Sequence, residues 1–230
     1  MLRDAVIILP RMHDLDVSPL WLSLRVASLA TLFAFAIGVT VAFGLSRAKF
    51  FGKEMLDAVL TLPLVLPPTV LGYYLIALFG RRGLIGGWLY ETFGYSLIFT
   101  WQGAVVACTV VSLPMVFKSA RAAFEGVEPN YEHAARTLGL SEAAIFFRVS
   151  FPLAWRGILA GTMLAFARAM GEFGATLMIA GNLPGKTQTL SMAVYSAVQS
   201  GNDRLANILV IIMSVACLGI LVCSGKLLKQ

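Results

Sequence analysis

Long apolar stretches recur along the chain and determine its architecture. Five of them hold close to the roughly 20 residues that an α-helix needs to cross the ~30 Å hydrocarbon core of a bilayer. They cover about Leu20–Ser46, Met55–Phe79, Leu97–Phe117, Gly157–Ala180 and Leu205–Ser224. The runs are too long and too continuous for the alternating strands of a membrane barrel. The pattern therefore predicts an all-α, polytopic membrane protein with about five transmembrane helices.

Residues 131–152 form a polar, helix-patterned island between the third and fourth apolar stretches. The spacing i, i+3, i+4, i+7 of a short amphipathic helix is occupied by Tyr131, Ala134, Ala135 and Leu138. The same spacing recurs at Leu140, Ala143, Ala144 and Phe147. Two short helices between membrane spans are typical of a docking surface.

The ends of these two short helices are marked by particular residues. Gly139 occupies the C′ position of the first helix, where a left-handed backbone satisfies the last carbonyls. Ser141 is placed to cap the second helix, with Glu142 in its first turn. Pro152 is expected to end the pattern, because proline cannot continue a helix ladder. The sequence thus predicts a positive φ at Gly139 and a separate second helix.

Composition agrees with a protein that faces lipid. The chain is 58% hydrophobic and only 13% charged, whereas soluble domains carry roughly 25% charged residues. The net charge of +6 comes from scattered basic residues at span ends, which fits membrane anchoring rather than nucleic-acid binding. No phosphate-binding loop, hydrolase motif or metal-ligand spacing is present, so we expect no enzyme activity, no cofactor and no metal.

Lysine and arginine in the loops predict the orientation. Ten lie on the side that carries residues 118–156, and six lie on the other side. The positive-inside rule places the 118–156 loop and the C-terminus in the cytoplasm. We therefore expect an extracytoplasmic segment at 1–17 and a membrane domain at 18–226 that includes the 128–152 loop.

Two groups of residues inside the apolar stretches are candidates for a translocation path or gate. Arg168 and Glu172 lie four residues apart on one face of the predicted fourth span, flanked by Gly171 and Gly174. They either line the path or neutralise each other as a structural pair. The second span is interrupted by Pro63, Pro67 and Pro68. These prolines predict either a kinked gate helix or a simple packing bend.

The island at 131–152 resembles the EAA loop of ABC importer permeases. The shared order is Ala134-Ala135, three residues, Gly139, nine residues, and then Val149-Ser150-Phe151-Pro152. The chain has His133 where the family has Glu, and Glu132 next to it is expected to substitute in part. The resemblance implies a type I importer permease fold. It assigns ATPase coupling to Tyr131, Glu132, His133, Ala134, Ala135, Leu138, Gly139 and Pro152.

Three further segments are similar to permease subunits of molybdate transporters. They are LTLPLVLPPTVLGYYL at 60–75, GRRG at 80–83 and FARAMGEFGAT at 166–176. The resemblance implies an inner-membrane homodimer that works with two copies of an ABC ATP-binding subunit and an extracytoplasmic molybdate-binding protein. Sulfate, thiosulfate and tungstate stay open as alternative cargoes. A secondary transporter or channel subunit is a remote alternative, since inverted repeats are not apparent.

Overall fold

The computed structural model describes residues 16–48 and 50–229, and this part of the chain contains helices but no strands. Most of the expected N-terminal segment at 1–17 lies outside the described residues. The helices are α1 (Ser18–Arg47), α2 (Lys53–Thr61), α3 (Pro68–Phe79), α4 (Leu84–Phe93), α5 (Trp101–Glu125), α6 (Pro129–Thr137), α7 (Glu142–Ile145), α8 (Phe151–Met170), α9 (Gly174–Ala180), α10 (Leu190–Gln199) and α11 (Asp203–Lys229).

Four helical segments in the described residues are long and apolar enough to cross a membrane. They are Ser18–Arg47, Trp101–Glu125, Glu142–Met170 and Asp203–Val222. A fifth candidate consists of two pieces, Lys53–Leu64 and Pro68–Phe79, and the chain bends by 111° between them. The expected number of about five spans is therefore confirmed if the bent pair counts as one.

The boundaries of two expected spans are wrong. The stretch Met55–Phe79 is not one kinked helix, because the chain breaks between a 3₁₀ turn at Leu62–Leu64 and α3. The stretch Gly157–Ala180 is also broken, since α8 ends at Met170 and α9 starts at Gly174. In compensation, the fourth span begins much earlier than expected. A π-helical segment at Phe146–Ser150 joins α7 to α8 without a break.

Small residues allow the central helices α1, α5 and α8 to pack closely. A methyl group at Gly38 of α1 would lie 3.1 Å from Val116 of α5. A methyl group at Gly161 of α8 would lie 2.3 Å from Ser119 of α5. Close approach at small residues is how membrane helices gain packing contacts. The three helices form the core against which the shorter elements lie.

Candidate functional site

Helix α6 ends in the glycine turn that the sequence predicts. Gly139 has a φ of +78°, in the left-handed region. The Leu140 N–H donates to the Ala135 carbonyl at 3.2 Å, and the Gly139 N–H donates to the Arg136 carbonyl at 2.9 Å. These bonds satisfy carbonyls that the helix end would otherwise leave unpaired. The predicted positive φ at Gly139 is confirmed.

Helix α7 starts at a cap and is tied back to α6. The Ser141 hydroxyl accepts a hydrogen bond from the Ala144 N–H at 3.3 Å, as predicted. Arg136 donates to both carboxylate oxygens of Glu142, at 2.6 and 3.0 Å. The hydrogen bond to Glu142 raises the pKa of the Arg136 guanidinium above its ordinary value. The cap and the ion pair together fix the angle between the two helices.

The second short helix does not end where the sequence predicts. Pro152 is the second residue of α8, which follows the π-helical segment Phe146–Ser150 directly, and the helix runs through it. One continuous segment, Glu142–Met170, therefore connects the loop that carries α6 to the central helices. The prediction that Pro152 stops the helix is wrong, because a π-helical turn lies just before the proline and such local adjustments let a membrane helix continue past a missing N–H.

Glu132 points into the protein rather than out of it. It is 3% exposed. Arg47 at the end of α1 forms a salt bridge with it, with the Arg47 Nε 3.1 Å from the Glu132 Oε1. The Ser150 hydroxyl donates to the same oxygen at 2.7 Å, and Arg136 Nη2 lies 3.8 Å from the other oxygen. Glu132 thus joins α1, α6 and the π segment.

This geometry corrects the expectation for His133. Glu132 cannot take the place of a surface carboxylate at position 133, because its side chain is buried and already paired. His133 itself is exposed. The surface of α6 therefore presents an imidazole where the resemblance has a carboxylate.

One position of the predicted apolar stripe of α6 is buried, and the other three are exposed. Tyr131 is 55% exposed and Leu138 is 80% exposed, and Ala134 is also exposed. Ala135, by contrast, is only 5% exposed and packs inside its own chain. Among the predicted coupling residues of α6, the exposed ones are therefore Tyr131, His133, Ala134 and Leu138.

A cluster of aromatic rings supports the π segment from beneath. Phe146 lies 4.7 Å from Phe43 of α1 and 6.0 Å from Phe124 of α5, measured between ring centroids. Phe151 packs 5.7 Å from Phe146 and 6.4 Å from Phe35 of α1. Stacked and edge-on rings add stabilisation beyond the apolar area that they bury. The junction between the loop and α8 is therefore firmly packed against two membrane helices.

The three prolines of the second apolar stretch form a sharp bend. Pro63 lies in the 3₁₀ turn, Pro67 caps α3 and Pro68 is its first residue. Pro68 at N1 begins a new helix rather than kinking an old one. The expectation of one kinked helix is wrong, because the chain forms two short helices with a bend of 111° between them.

The break after α8 lies against this bend. Arg168 Nη1 is 2.6 Å from Glu172 Oε2, and the other oxygen of Glu172 accepts the Ala175 N–H at 2.9 Å. A methyl group at Gly174 would lie 2.6 Å from Pro68, so this glycine permits the contact. Gly171 makes no such close approach, since its nearest neighbour would be 3.8 Å away.

The predicted gate residues on the two breaks therefore lie side by side, with Gly174 against Pro68 and the Arg168–Glu172 pair next to it. Glu172 is 2% exposed and is paired with Arg168, which favours the interpretation of a structural ion pair. The role of all seven residues in translocation stays a prediction. No group of three or more metal-ligand side chains occurs among the described residues.

Sequence reasoning missed the partners of Glu132. Arg47 is 85 positions away from Glu132, and Ser150 is 18 positions away. The available signals were weak: a basic residue at the end of a predicted span, and a serine in an apolar run. Neither signal specifies a partner across that distance in the chain.

Comparison with known proteins identifies the family. Residues 34–228 match the family described as the inner membrane component of binding-protein-dependent transport systems. The molybdenum transport system permease protein ModB of Escherichia coli K12 is 46% identical over 87% of this chain and 89% of its own length. The molybdenum permease ModB of Haemophilus influenzae is 44% identical over 81% of both chains. The sulfate permease CysT of Escherichia coli is 37% identical over 75% of this chain and 62% of its own length.

Solved structures agree on the fold. The inward-facing MetNI methionine ABC transporter matches 93% of this chain with a TM-score of 0.71 at 18% identity. A bacterial alginate ABC transporter matches 97% of this chain with a TM-score of 0.73 at 14% identity. These identities are low, so the match concerns the fold alone, which is that of type I importer permeases. The chain belongs to the family of inner membrane components of binding-protein-dependent transport systems.

Proposed function

We propose that this chain is the permease subunit of an ATP-driven importer that carries molybdate across the inner membrane. The observation that carries the proposal is the 46% identity to a molybdenum permease across 87% of the chain. The sulfate permease is less similar, at 37% over 75% of the chain. The chain works as a homodimer with two copies of an ATP-binding subunit and an extracytoplasmic molybdate-binding protein. Its N-terminus is extracytoplasmic and its C-terminus is cytoplasmic.

The continuous helix Glu142–Met170 supports a mechanism for coupling. The ATP-binding subunits dock on the exposed face of Tyr131, His133, Ala134 and Leu138. When ATP closes the ATPase pair, both loops move together. The salt bridge between Glu132 and Arg47 carries this motion to α1, and the π segment carries it to α8. The pore then opens outward and accepts the anion from the binding protein.

Cargo is tested by deleting the gene in its own host. Cellular molybdenum and molybdenum-enzyme activity should fall at trace molybdate, and excess external molybdate should restore both through other anion routes. A plasmid copy of the gene should also restore them. A strain that starves for sulfur while its molybdenum content stays unchanged would assign the permease to sulfate instead. Competition by tungstate in the complemented strain measures how far the passage discriminates between these anions.

Docking is tested by placing cysteines at neighbouring positions of α6. Ala134→Cys and Leu138→Cys should cross-link to the ATP-binding subunit, because both side chains are exposed. Ala135→Cys is the matched control, since its side chain is 5% exposed and faces its own chain. Equal cross-linking at 134 and 135, or none at 134 and 138, would contradict the docking face.

A further inference from the structure

A cleft of about 550 Å³ lies between the first turns of α1, the segment before α5 and the loop before α10. Its lining includes Trp21 and Arg25 of α1, Trp101 of α5, and Lys186 and Gln188 of the loop. We call it the Arg25 cleft. Its lining contains no residue of the docking face and none of the three prolines of the bend, so the proposed coupling mechanism does not use it.

The charges in the Arg25 cleft have one sign. Arg25 and Lys186 both line it, and none of the described lining residues carries a carboxylate. Asp16 does not line the cleft, and its carboxylate accepts hydrogen bonds from the N–H and hydroxyl of Ser18 at the rim. Two cations that face one cavity without a protein anion repel each other unless an anion lies between them. The cleft is therefore suited to a negatively charged ligand.

Arg25 keeps its hydrogen-bond donors available. Its guanidinium carbon lies 3.9 Å from the centre of the Trp101 ring, and among the described residues no ion pair involves Arg25. A cation–π contact holds the group in place without consuming its N–H donors. A guanidinium offers five N–H donors in a planar fork that matches the oxygens of a tetrahedral oxyanion.

The loop that carries Lys186 is fixed before any ligand binds. The N–H groups of Lys186, Thr187 and Gln188 all donate to the Leu183 carbonyl, at 3.0, 2.9 and 3.1 Å. The Thr187 hydroxyl donates to the Gly181 carbonyl at 3.1 Å. A fixed loop lowers the entropy cost of placing the ammonium group beside an anion. The opposite wall is held as well, because the Phe99 N–H donates to the Ile179 carbonyl at 3.0 Å.

The position of the cleft suggests the membrane interface. Arg25 lies seven residues inside α1, which corresponds to roughly 10 Å along the helix. Trp21 is 71% exposed and Phe99 is 62% exposed, and both line the cleft. Exposed aromatic rings with basic residues between them are typical of the headgroup region of a bilayer.

We infer that the Arg25 cleft binds a tetrahedral oxyanion, with Arg25 and Lys186 as its ligands. The phosphate of an anionic lipid and a free oxyanion share this chemistry. The exposed Trp21 and Phe99 favour the lipid, because its acyl chains can cover them. The site does not depend on the identity of the transported cargo.

The test uses the full-length permease, purified in the assembly that it forms and placed in nanodiscs. One arm measures retained phosphatidylglycerol by native mass spectrometry, in discs of phosphatidylcholine with and without phosphatidylglycerol. The other arm titrates molybdate, sulfate and inorganic phosphate in phosphatidylcholine discs and follows tryptophan fluorescence. Removing either cation should weaken binding about tenfold or more, since a charge-assisted hydrogen bond is lost. The variants are Arg25→Met and Lys186→Met.

Arg81→Met is the matched control. Arg81 also lies over an aromatic ring, 4.8 Å from the centre of Tyr90, but it does not line the cleft. Lipid retention that falls in both cleft variants and not in the control supports a lipid phosphate. Saturable binding of a free oxyanion with the same pattern, without lipid retention, supports the oxyanion site with a soluble ligand. If neither probe distinguishes the wild type from the Arg25→Met/Lys186→Met variant, the inference is overturned.

Discussion

The loop at 128–152 and the bent pair α2–α3 are both built from short helices. They differ in how their side chains are buried and paired within the chain. In the loop, Glu132 is buried and joined to α1, α6 and the π segment. In α2, which the structure describes in full, no side chain is buried. Helix α3 buries only Leu71, Gly72 and Leu75.

This difference indicates different mechanical roles. An element that its own chain fixes through buried charge and aromatic packing moves as a rigid body with the helices that it contacts. An element such as α2, none of whose side chains is buried, keeps low-energy alternatives, as segments that move commonly do. The loop is therefore suited to transmit a displacement, and α2 of the bent pair is suited to respond to one.

The largest effect is expected at the Arg47–Glu132 bridge. Arg47→Met leaves the Glu132 carboxylate buried without its partner, which should cost about 3 kcal/mol of stability. Thermal unfolding of the purified permease measures this loss. The double variant Arg47→Met/Glu132→Gln should recover part of it, because no charge is then left buried.

Arg148→Met is the control for this bridge. Arg148 is exposed on the π segment and makes no ion pair within the described residues, so its removal should change the unfolding temperature little. If the effects of Arg47→Met and Glu132→Gln on stability were strictly additive, Arg47 and Glu132 would not interact. The interpretation of the loop as a rigid element would then be wrong.

How far the sequence predicts these two regions depends on the range of the interactions. The glycine turn at Gly139 and the cap at Ser141 are local, so residue type and spacing predicted both correctly. The bend at Pro63, Pro67 and Pro68 was located, but its geometry was not. Proline chemistry marks where a helix is disturbed and leaves the angle to tertiary packing.

Contacts between distant segments could not be predicted from the sequence. The burial of Glu132 depends on Arg47 and Ser150, which local patterns do not connect to it. The inward orientation of Ala135 has the same origin, since helical periodicity places Ala134 and Ala135 on one broad stripe. Only packing decides which of the two faces outward. The exposed face of the site was therefore predicted too broadly.

The second effect concerns the Arg168–Glu172 pair, which holds the start of α9 beside the bent pair. Arg168→Met leaves Glu172 unpaired, and Glu172→Gln leaves Arg168 without a countercharge; each should cost about 2 kcal/mol. The glutamine keeps an oxygen that accepts the Ala175 N–H, so this hydrogen bond survives. The double variant should be less damaging than the sum of the single ones in thermal unfolding and in uptake. Silent single variants would show that the pair is solvated.

A smaller effect is expected at Gly139. Gly139→Val places a β-branched residue at a φ of +78°, which should cost on the order of 1 kcal/mol or more. A side chain there would meet no neighbour within 4 Å, so the defect comes from the backbone alone. We expect normal membrane insertion with loss of substrate-stimulated ATPase activity. Gly139→Asn is the matched control, because asparagine tolerates the left-handed region, and it should retain most of the coupling. Equal loss in both variants would contradict the backbone explanation.

The smallest effect is expected in the bent pair itself. Asp57 of α2 pairs with Lys118 and Arg121 of α5 and is the polar link between these helices. The pairs are partly exposed, so Asp57→Asn should cost less than about 1 kcal/mol of global stability. Hydrogen exchange in α2 should nevertheless accelerate, since little else holds this helix in place. Glu54→Gln, an exposed change on the same helix, should alter neither quantity. If Asp57→Asn instead lowered global stability as much as Arg47→Met does, the bent pair would be as firmly held as the loop, and the two regions would not differ in the way that their burial indicates.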